Sequence, residues 1–372
     1  KSSKSIYTRQ RSFIKNMKYE PFYNPEKPYE ENFEKGPYGA FADGEIIENE
    51  GELQYDFLGF KVNSPFGIPA GPLLNGKFVK SALDKGFDIV TYKTVRSGKY
   101  PCHPWPNVLS VHIEGDLTLE KAEEKLIADT NYEQPISITN SFGVPSKDSE
   151  FWQNDLKNLV ANTKLGQIVV GSFQGTKKEE QSVEDYINDY RITAKMLKDT
   201  GVKVMEVNLS CPNEGTNNLL CFDTERSVKV AQAIKEVIGD VPLIIKIAYF
   251  KDDESLRNFI KEIGQVVHGI SAINTIGAEI INKEGEQALP GEGRLRSGVC
   301  GHAIKWAGLD MVKKLKKLRD ELGYSYTIIG VGGVTTAEDF FEYRDVGADI
   351  VMSATGVMWN PYLAKEIKEK LR

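Results

Sequence analysis

Val204-Met205-Glu206-Val207-Asn208-Leu209-Ser210-Cys211-Pro212-Asn213-Glu214-Gly215 is an apolar strand that runs straight into two amides, a hydroxyl and a thiol. Pro212 ends the strand, because it has no backbone N–H for a ladder. Barrel and doubly wound α/β enzymes carry their chemistry where a strand ends in a polar loop. The fold therefore turns on whether other strands of the chain end in the same way.

A strand-then-helix rhythm continues on both sides, the signature of βαβ units and a parallel sheet. Strands are predicted over 66–70, 88–92, 167–172, 204–208, 243–247, 270–274, 327–331 and 349–353. Helices are predicted over 77–85, 150–161, 183–198, 224–238, 255–263, 304–322, 337–345 and 361–371. Eight strands is the number that closes a (β/α)8 TIM barrel, which is the expected α/β fold. A doubly wound open sheet is the alternative, since periodicity does not show closure. A ninth candidate, 135–139, lies in the long segment between the second and third strands and reads as a loop excursion carrying site residues. No internal repeat or low-complexity linker points to a second domain.

The predicted organisation is an N-terminal extension over 1–57 and the barrel over 58–372. The extension begins basic, with Lys1, Lys4, Arg9, Arg11, Lys15 and Lys18 before the first acid, Glu20. It reads as a solvated tail, with a targeting or surface-binding arm as the second reading. From Tyr19 it is rich in Tyr, Phe, Pro and Glu, and such aromatics are expected to pack against the main domain.

Bulk composition narrows the function classes. The 372 residues, 40% hydrophobic and 27% charged, suit one α/β domain of about 250–300 residues plus extensions. A net charge of −6 offers no basic field for nucleic acid. No apolar run approaches the ~20 residues of a membrane span, and no signal-peptide core follows the N-terminus. Cys102, Cys211, Cys221 and Cys300 show no CxxC spacing, so reduced thiols in the cytoplasm are expected. The four histidines form no metal-binding pattern, and no metal is expected.

Polar or glycine residues recur where the strands end: Lys93-Thr94, Asn208 to Asn213, Lys246, Asn274-Thr275, Gly330-Val331-Gly332-Gly333 and Ala354-Thr355-Gly356. Lys246 is costly to bury unless an anion or dipole accepts it, which points to such a partner; a snorkelling lysine on an edge strand is the second reading. Glycine-rich ends on the last two strands suit a phosphate, because backbone N–H groups without a Cβ can approach one closely. Cys211 reads either as a small buried thiol or as a proton-transfer group or nucleophile. No histidine lies near it in sequence, so acyl transfer gains no support. Cys221 and Cys300 read as buried thiols.

Asn208-Leu-Ser-Cys-Pro-Asn213 resembles the signature of the dihydroorotate dehydrogenases, FMN-dependent (β/α)8 barrels. Ile68-Pro-Ala-Gly71, Thr91-Tyr-Lys-Thr94, Asn140-Ser-Phe-Gly-Val-Pro145, Ile245-Lys246, Ile273-Asn-Thr-Ile-Gly277, Gly330-Val-Gly-Gly333 and Ala354-Thr-Gly356 match family landmarks in order, from about Leu58 to the C-terminus. The resemblance implies that Cys211 removes the C5 proton of dihydroorotate while the C6 hydride passes to N5 of FMN. A cysteine base resembles the soluble class 1 enzymes, which are homodimers. Asn140, Asn208, Asn213, Asn274 and Thr275 would hydrogen-bond the pyrimidine edges and carboxylate, each amide offering both donors and acceptors. Lys93 would neutralise substrate or flavin charge, and Lys246 would face the flavin N1/O2 edge. Gly332, Gly333, Ala354, Thr355 and Gly356 would cradle the FMN phosphate, with Asn208 also on the cofactor. Gly298 and Gly301 would pack near the flavin, and Ala70 and Gly71 would let the ring approach the first strand.

The implied partners are dihydroorotate and orotate, plus an electron acceptor: fumarate, a quinone, or NAD through a partner subunit. The NAD route would need that second protein, because no cysteine cluster here could hold an iron–sulfur centre. Two other readings are a relative acting on another dihydropyrimidine and a non-catalytic flavin-binding protein. Lys93 with Asn140 favours dihydroorotate, and a pure binding module has no need of a base. Two stretches depart from the family pattern: the long extension, and 101–131, which carries no matching motif.

Overall fold

The computed structural model describes residues 17–49, 52–210 and 219–372. The basic run as far as Lys15 lies outside the described residues, as do Cys211, Pro212 and Asn213.

A hairpin, β1 (Tyr55–Phe57) and β2 (Phe60–Val62), leads into β3 (Phe66–Ile68), α2 (Gly76–Asp84) and β4 (Ile89–Val95). The helix α1 (Tyr29–Lys35) precedes them. The barrel continues as β8 (Ile168–Phe173), α4 (Val183–Lys198), β9 (Val204–Asn208), α5 (Thr224–Ile238), β10 (Leu243–Ile247), α6 (Asp253–Ile263) and β11 (Gly269–Ala272). It ends with α7 (Lys305–Leu322), β14 (Thr327–Val331), α8 (Ala337–Asp345), β15 (Ile350–Met352), α9 (Thr355–Trp359) and α10 (Leu363–Leu371). The eight strands β3, β4, β8, β9, β10, β11, β14 and β15 pair in parallel around a closed ring, which removes the open-sheet alternative. Helix starts follow the local signals: Asn75, Asp148, Ser182, Asp223 and Asp252 each accept a first-turn N–H, and Thr336 with Asp339 forms a capping box.

Strand alternation sorts the side chains. On β9, Met205 and Val207 join the core under the helices, whereas Val204 joins a core inside the barrel. That inner core also holds Ile89, Ile168, Ile244 and Ile350, all near strand beginnings, together with Phe57 and Val62 of the hairpin. The hairpin thus plugs the amino-terminal end of the barrel, and only the carboxyl end stays open. It straddles residue 58, where the sequence alone places the start of the barrel.

The excursion after the second barrel strand is more than a loop. It contains β5 (Val108–Val111), β6 (Lys125–Asp129), β7 (Ser137–Asn140) and α3 (Ser149–Ala161). The first three join β12 (Ile276–Ile281) and β13 (Arg296–Gly301), which follow the sixth barrel strand, in a second closed sheet of five strands. The segment 101–131 therefore holds two strands: β5, which pairs with β6 and β7, and β6, whose other partner, β12, lies more than a hundred residues away.

The N-terminal extension packs as its aromatics predict. Phe22 stacks on Phe41 at 4.3 Å and meets Phe78 of α2 edge-on at 6.3 Å. The buried Lys85 ties the segment down through Asp43 and Glu45, both at 2.8 Å. No helix among the described residues is long and apolar enough to cross a membrane.

The C-terminal helix closes back on the first turn of the ring. Lys368 Nζ lies 2.7 Å from Asp88 Oδ2, and the Asp88 side chain is fully buried. Asp88 also accepts from Ser64 Oγ at 2.5 Å and Asn63 Nδ2 at 3.2 Å. Burial pushes the Asp88 carboxyl up and the Lys368 ammonium down, so each keeps its charge through the other. Removing one partner of such a pair strands a buried charge. Lys368→Met is expected to destabilise the fold by about 3–5 kcal/mol, read as a lowered denaturation midpoint with the far-ultraviolet spectrum unchanged.

Candidate active site

A cavity of about 240 Å³ opens at the carboxyl ends of the barrel strands, under the five-stranded sheet. Of the residues singled out from sequence, Ala70, Gly71, Lys93, Asn140, Asn208, Lys246, Asn274, Thr275, Gly298, Ala354 and Thr355 all line it. They come from six different barrel strand ends and from the added sheet.

Two buried lysines dominate its electrostatics. Lys93 sits where the β4–β8 register shifts between Tyr92 and Val95, and such irregularities re-aim side chains. Among the described residues its Nζ donates only a long 3.4 Å bond to Gly71 O, and it lies 5.1 Å from the centre of the Phe142 ring. Burial pulls its pKa down to about 8. Lys246 donates a 3.4 Å bond to Ser271 Oγ, and burial lowers its pKa too, against the opposing pull of Glu206. It is 7% exposed on a strand paired on both sides, so the snorkelling edge-strand reading fails. Two desolvated cations with weak neutral partners make this cavity fit an anionic ligand.

The amides are less free than their residue type suggests. Asn208 Nδ2 donates to Gln174 Oε1 at 2.8 Å, and its Oδ1 accepts from Ser210 N at 3.2 Å and Ser210 Oγ at 3.1 Å. Asn274 Nδ2 donates to Ser210 Oγ at 2.8 Å. Ser210 thereby ties β9 to the segment after β11, just ahead of residue 211. Among the described residues, Asn208 keeps one N–H to offer and Asn274 keeps its amide oxygen. Asn140 Nδ2 and Thr355 Oγ1 both donate to Cys300 Sγ, at 3.3 and 3.4 Å. Cys300, read from sequence as a plain buried thiol, is part of the cavity wall. Cys221 is fully buried, as expected.

The glycines divide. Gly332, Gly333, Gly356 and Gly301 stand outside the cavity lining. At Gly333, where φ is +70°, a Cβ would also meet the Lys305 backbone at 2.7 Å, so packing alone requires glycine there. The residues that remain suited to a phosphate are Ala354 and Thr355, where the first turn of α9 leaves N–H groups without helical partners.

Several wall residues escaped the sequence reading. Tyr23 reaches in from the extension, edge-on to Phe142 at 5.7 Å, with its hydroxyl buried and unpartnered among the described residues. Its only sequence signal was the aromatic density around it. Arg294 spends its guanidinium on the carbonyls of Pro104, Pro106, Pro290 and Ser141, joining the two excursions. Glu206 lines the cavity with both carboxylate oxygens buried and unpartnered among the described residues.

A closed parallel barrel with cations and amides gathered at its strand ends defines a (β/α)8 enzyme with its site at the carboxyl face. The family model described as dihydroorotate dehydrogenase matches residues 128–372. The chain is 36% identical to the dihydroorotate dehydrogenase of Dictyostelium discoideum, over 92% of this chain and 95% of that protein. It is 28% identical to a dihydroorotate dehydrogenase (quinone) of Streptomyces coelicolor, over 90% and 85%. A dihydroorotate dehydrogenase B (NAD(+)) catalytic subunit of Staphylococcus carnosus is 30% identical over 50% of this chain and 58% of that protein. The solved structure of Eimeria tenella DHODH in complex with ferulenol shares the fold, with a TM-score of 0.67, 19% identity and coverage of 88% and 85%. The chain belongs to the dihydroorotate dehydrogenase family and is an oxidoreductase.

Gly298 sits where a Cβ would collide with the Thr275 side chain. Gly298→Ala is expected to displace Thr275 and to cost about 1–3 kcal/mol, the range for overpacking. Adding Thr275→Ala should recover part of the lost thermal midpoint.

Proposed function

We propose that this enzyme oxidises dihydroorotate to orotate in pyrimidine biosynthesis, with FMN as its cofactor. The observation that carries the reading is the pair of buried lysines, Lys93 and Lys246, each weakly partnered and facing one cavity flanked by Asn140, Asn208 and Asn274. Residues 58–372 would be the flavin-binding unit, with Tyr23 of the extension added to its wall. Lys246 would hold the flavin ring by charge, and Ala70, Gly71 and Gly298 would line its approach. Ala354 and Thr355 would hold the phosphate, with Gly332, Gly333 and Gly356 shaping the backbone behind them. When bound, FMN supplies the acceptor for the hydride leaving C6.

The chain's own residues account for the rest of the chemistry. Lys93 offers a positive charge to the substrate carboxylate, with the Phe142 ring beneath it limiting where the ammonium can sit. Asn140, Asn274 and Thr275, with Asn213, would hydrogen-bond the planar ring edges. Fixing the substrate by carboxylate and ring together holds its C5–C6 bond in one orientation. Cys211, three residues beyond Asn208, would take the C5 proton as its thiolate. The same reading makes the enzyme a cytoplasmic homodimer. Relatives named for a quinone and for NAD(+) support both of those acceptor classes, with fumarate a third. Reoxidation with each in turn identifies the acceptor used.

Cys211→Ala should leave a folded, yellow protein whose flavin is barely bleached by dihydroorotate under anaerobic conditions. Normal bleaching would sink the base assignment. Bleaching of the parent by dihydrouracil but not by dihydroorotate would redirect the substrate.

The two ionisable groups imply opposite pH responses. Lys93, with its pKa lowered to about 8, is charged below that pH and neutral above it. Orotate affinity should therefore fall as pH rises through about 8, and Lys93→Met should flatten that fall. Turnover should rise over the same range if Cys211 keeps an ordinary thiol pKa of about 8.5. Titrating orotate by the flavin absorbance change, at several pH values, checks the first response.

A further inference from the structure

We propose that Glu206 is the electrostatic counterweight of Lys246, a positioning residue that sets how strongly the cavity prefers reduced over oxidised flavin. The proposal rests on the flavin reading above.

Glu206 is 1% exposed and sits in the middle of β9, a strand paired on both sides. Its side chain faces the barrel interior with that of Asn208, and both line the cavity. Glu206 lies opposite Ile244 and Asn208 opposite Lys246, so Glu206 and Lys246 are diagonal neighbours on the inner face of adjacent strands. Neither carboxylate oxygen has a hydrogen-bond partner among the described residues. Burial pushes the carboxyl up, and Lys246 is the charged group that opposes this.

Such a residue has no stability argument in its favour. Barrel interiors are filled by branched apolar side chains, and an apolar residue in a buried ionic site is often neutral or stabilising. Held ionised by Lys246, the lysine that would face the flavin, Glu206 would act on that lysine's field. Two-electron reduction leaves negative charge on the ring. Lys246 favours that charge, and Glu206 on the same wall opposes it. The pair holds the reduced state less tightly than Lys246 alone would, which leaves electrons available to an acceptor.

The test compares FMN midpoint potentials and FMN dissociation constants of the parent with those of Glu206→Gln, which keeps the shape and removes the charge. Glu206→Gln should stay yellow and favour reduced over oxidised FMN at least tenfold more than the parent. For a two-electron couple that is an upward shift of about 30 mV. Lys246→Met should shift the potential downward. Glu206→Met, apolar and of similar length, is a second neutral variant should the amide fail to fold, and it must give the same upward shift. Neutral variants that keep the parent potential overturn the proposal, as does a folded Glu206→Gln that no longer takes up FMN. If the parent itself takes up no FMN, the flavin reading fails and the proposal with it; if the parent is yellow and the potentials coincide, the proposal alone fails.

Discussion

Two ammonium groups held out of water within one cavity are the constraint on which this structure depends. An isolated buried cation costs several kcal/mol even after local relaxation. Lys93 and Lys246 each meet this cost with one long bond to a neutral oxygen, a nearby ring or a diagonal carboxylate. The barrel tolerates the arrangement because its other end is sealed: Phe57 and Val62 of the hairpin complete an apolar plug below the charged layer. Within the barrel interior, charge thereby sits toward the carboxyl face, where a dry, low-dielectric setting strengthens every interaction with an anion.

The second sheet is what converts an open barrel end into a cavity. Strands from two excursions, separated by more than a hundred residues, close on each other and bring Asn140, Ser297, Gly298 and Cys300 over the strand ends. Arg294 stitches the two excursions through four carbonyls, so the roof has its own internal bonding. The N-terminal segment adds Tyr23 to the wall and is anchored through Phe22, whose N–H donates to Met358 O at 3.3 Å. Met358 itself lines the cavity, so the extension and the wall share one support.

Polar order within the site follows from the need to satisfy buried donors. Gln174, Asn208, Ser210 and Asn274 form a chain of hydrogen bonds across the ends of three strands. Asn208, expected to face a ligand with its whole amide, instead uses most of it to hold this chain. Its role is to fix where the backbone leaves β9 as much as to touch a ligand. Glu206, two residues earlier, is the exception, with no hydrogen-bond partner among the described residues.

The amino-acid order by itself was enough to specify eight strands, their helices and the polar groups at their ends. Each of those is written in local periodicity, capping residues and punctuation, so 204–208 could be read as a strand ending at a site. The buried state of Lys246 and the packing of the extension's aromatics were legible for the same reason, since both follow from residue type. Barrel closure, the pairing of 125–129 with 276–281 and of 137–140 with 296–301, and the place of Cys300 and Tyr23 in one wall were not. They depend on contacts between residues far apart in the chain, whose partners no local pattern names. Glu206 shows the difference most plainly: in sequence it is one polar residue inside an apolar strand. Only the closed barrel, by turning that side chain inward beside Lys246 and away from water, makes its charge matter.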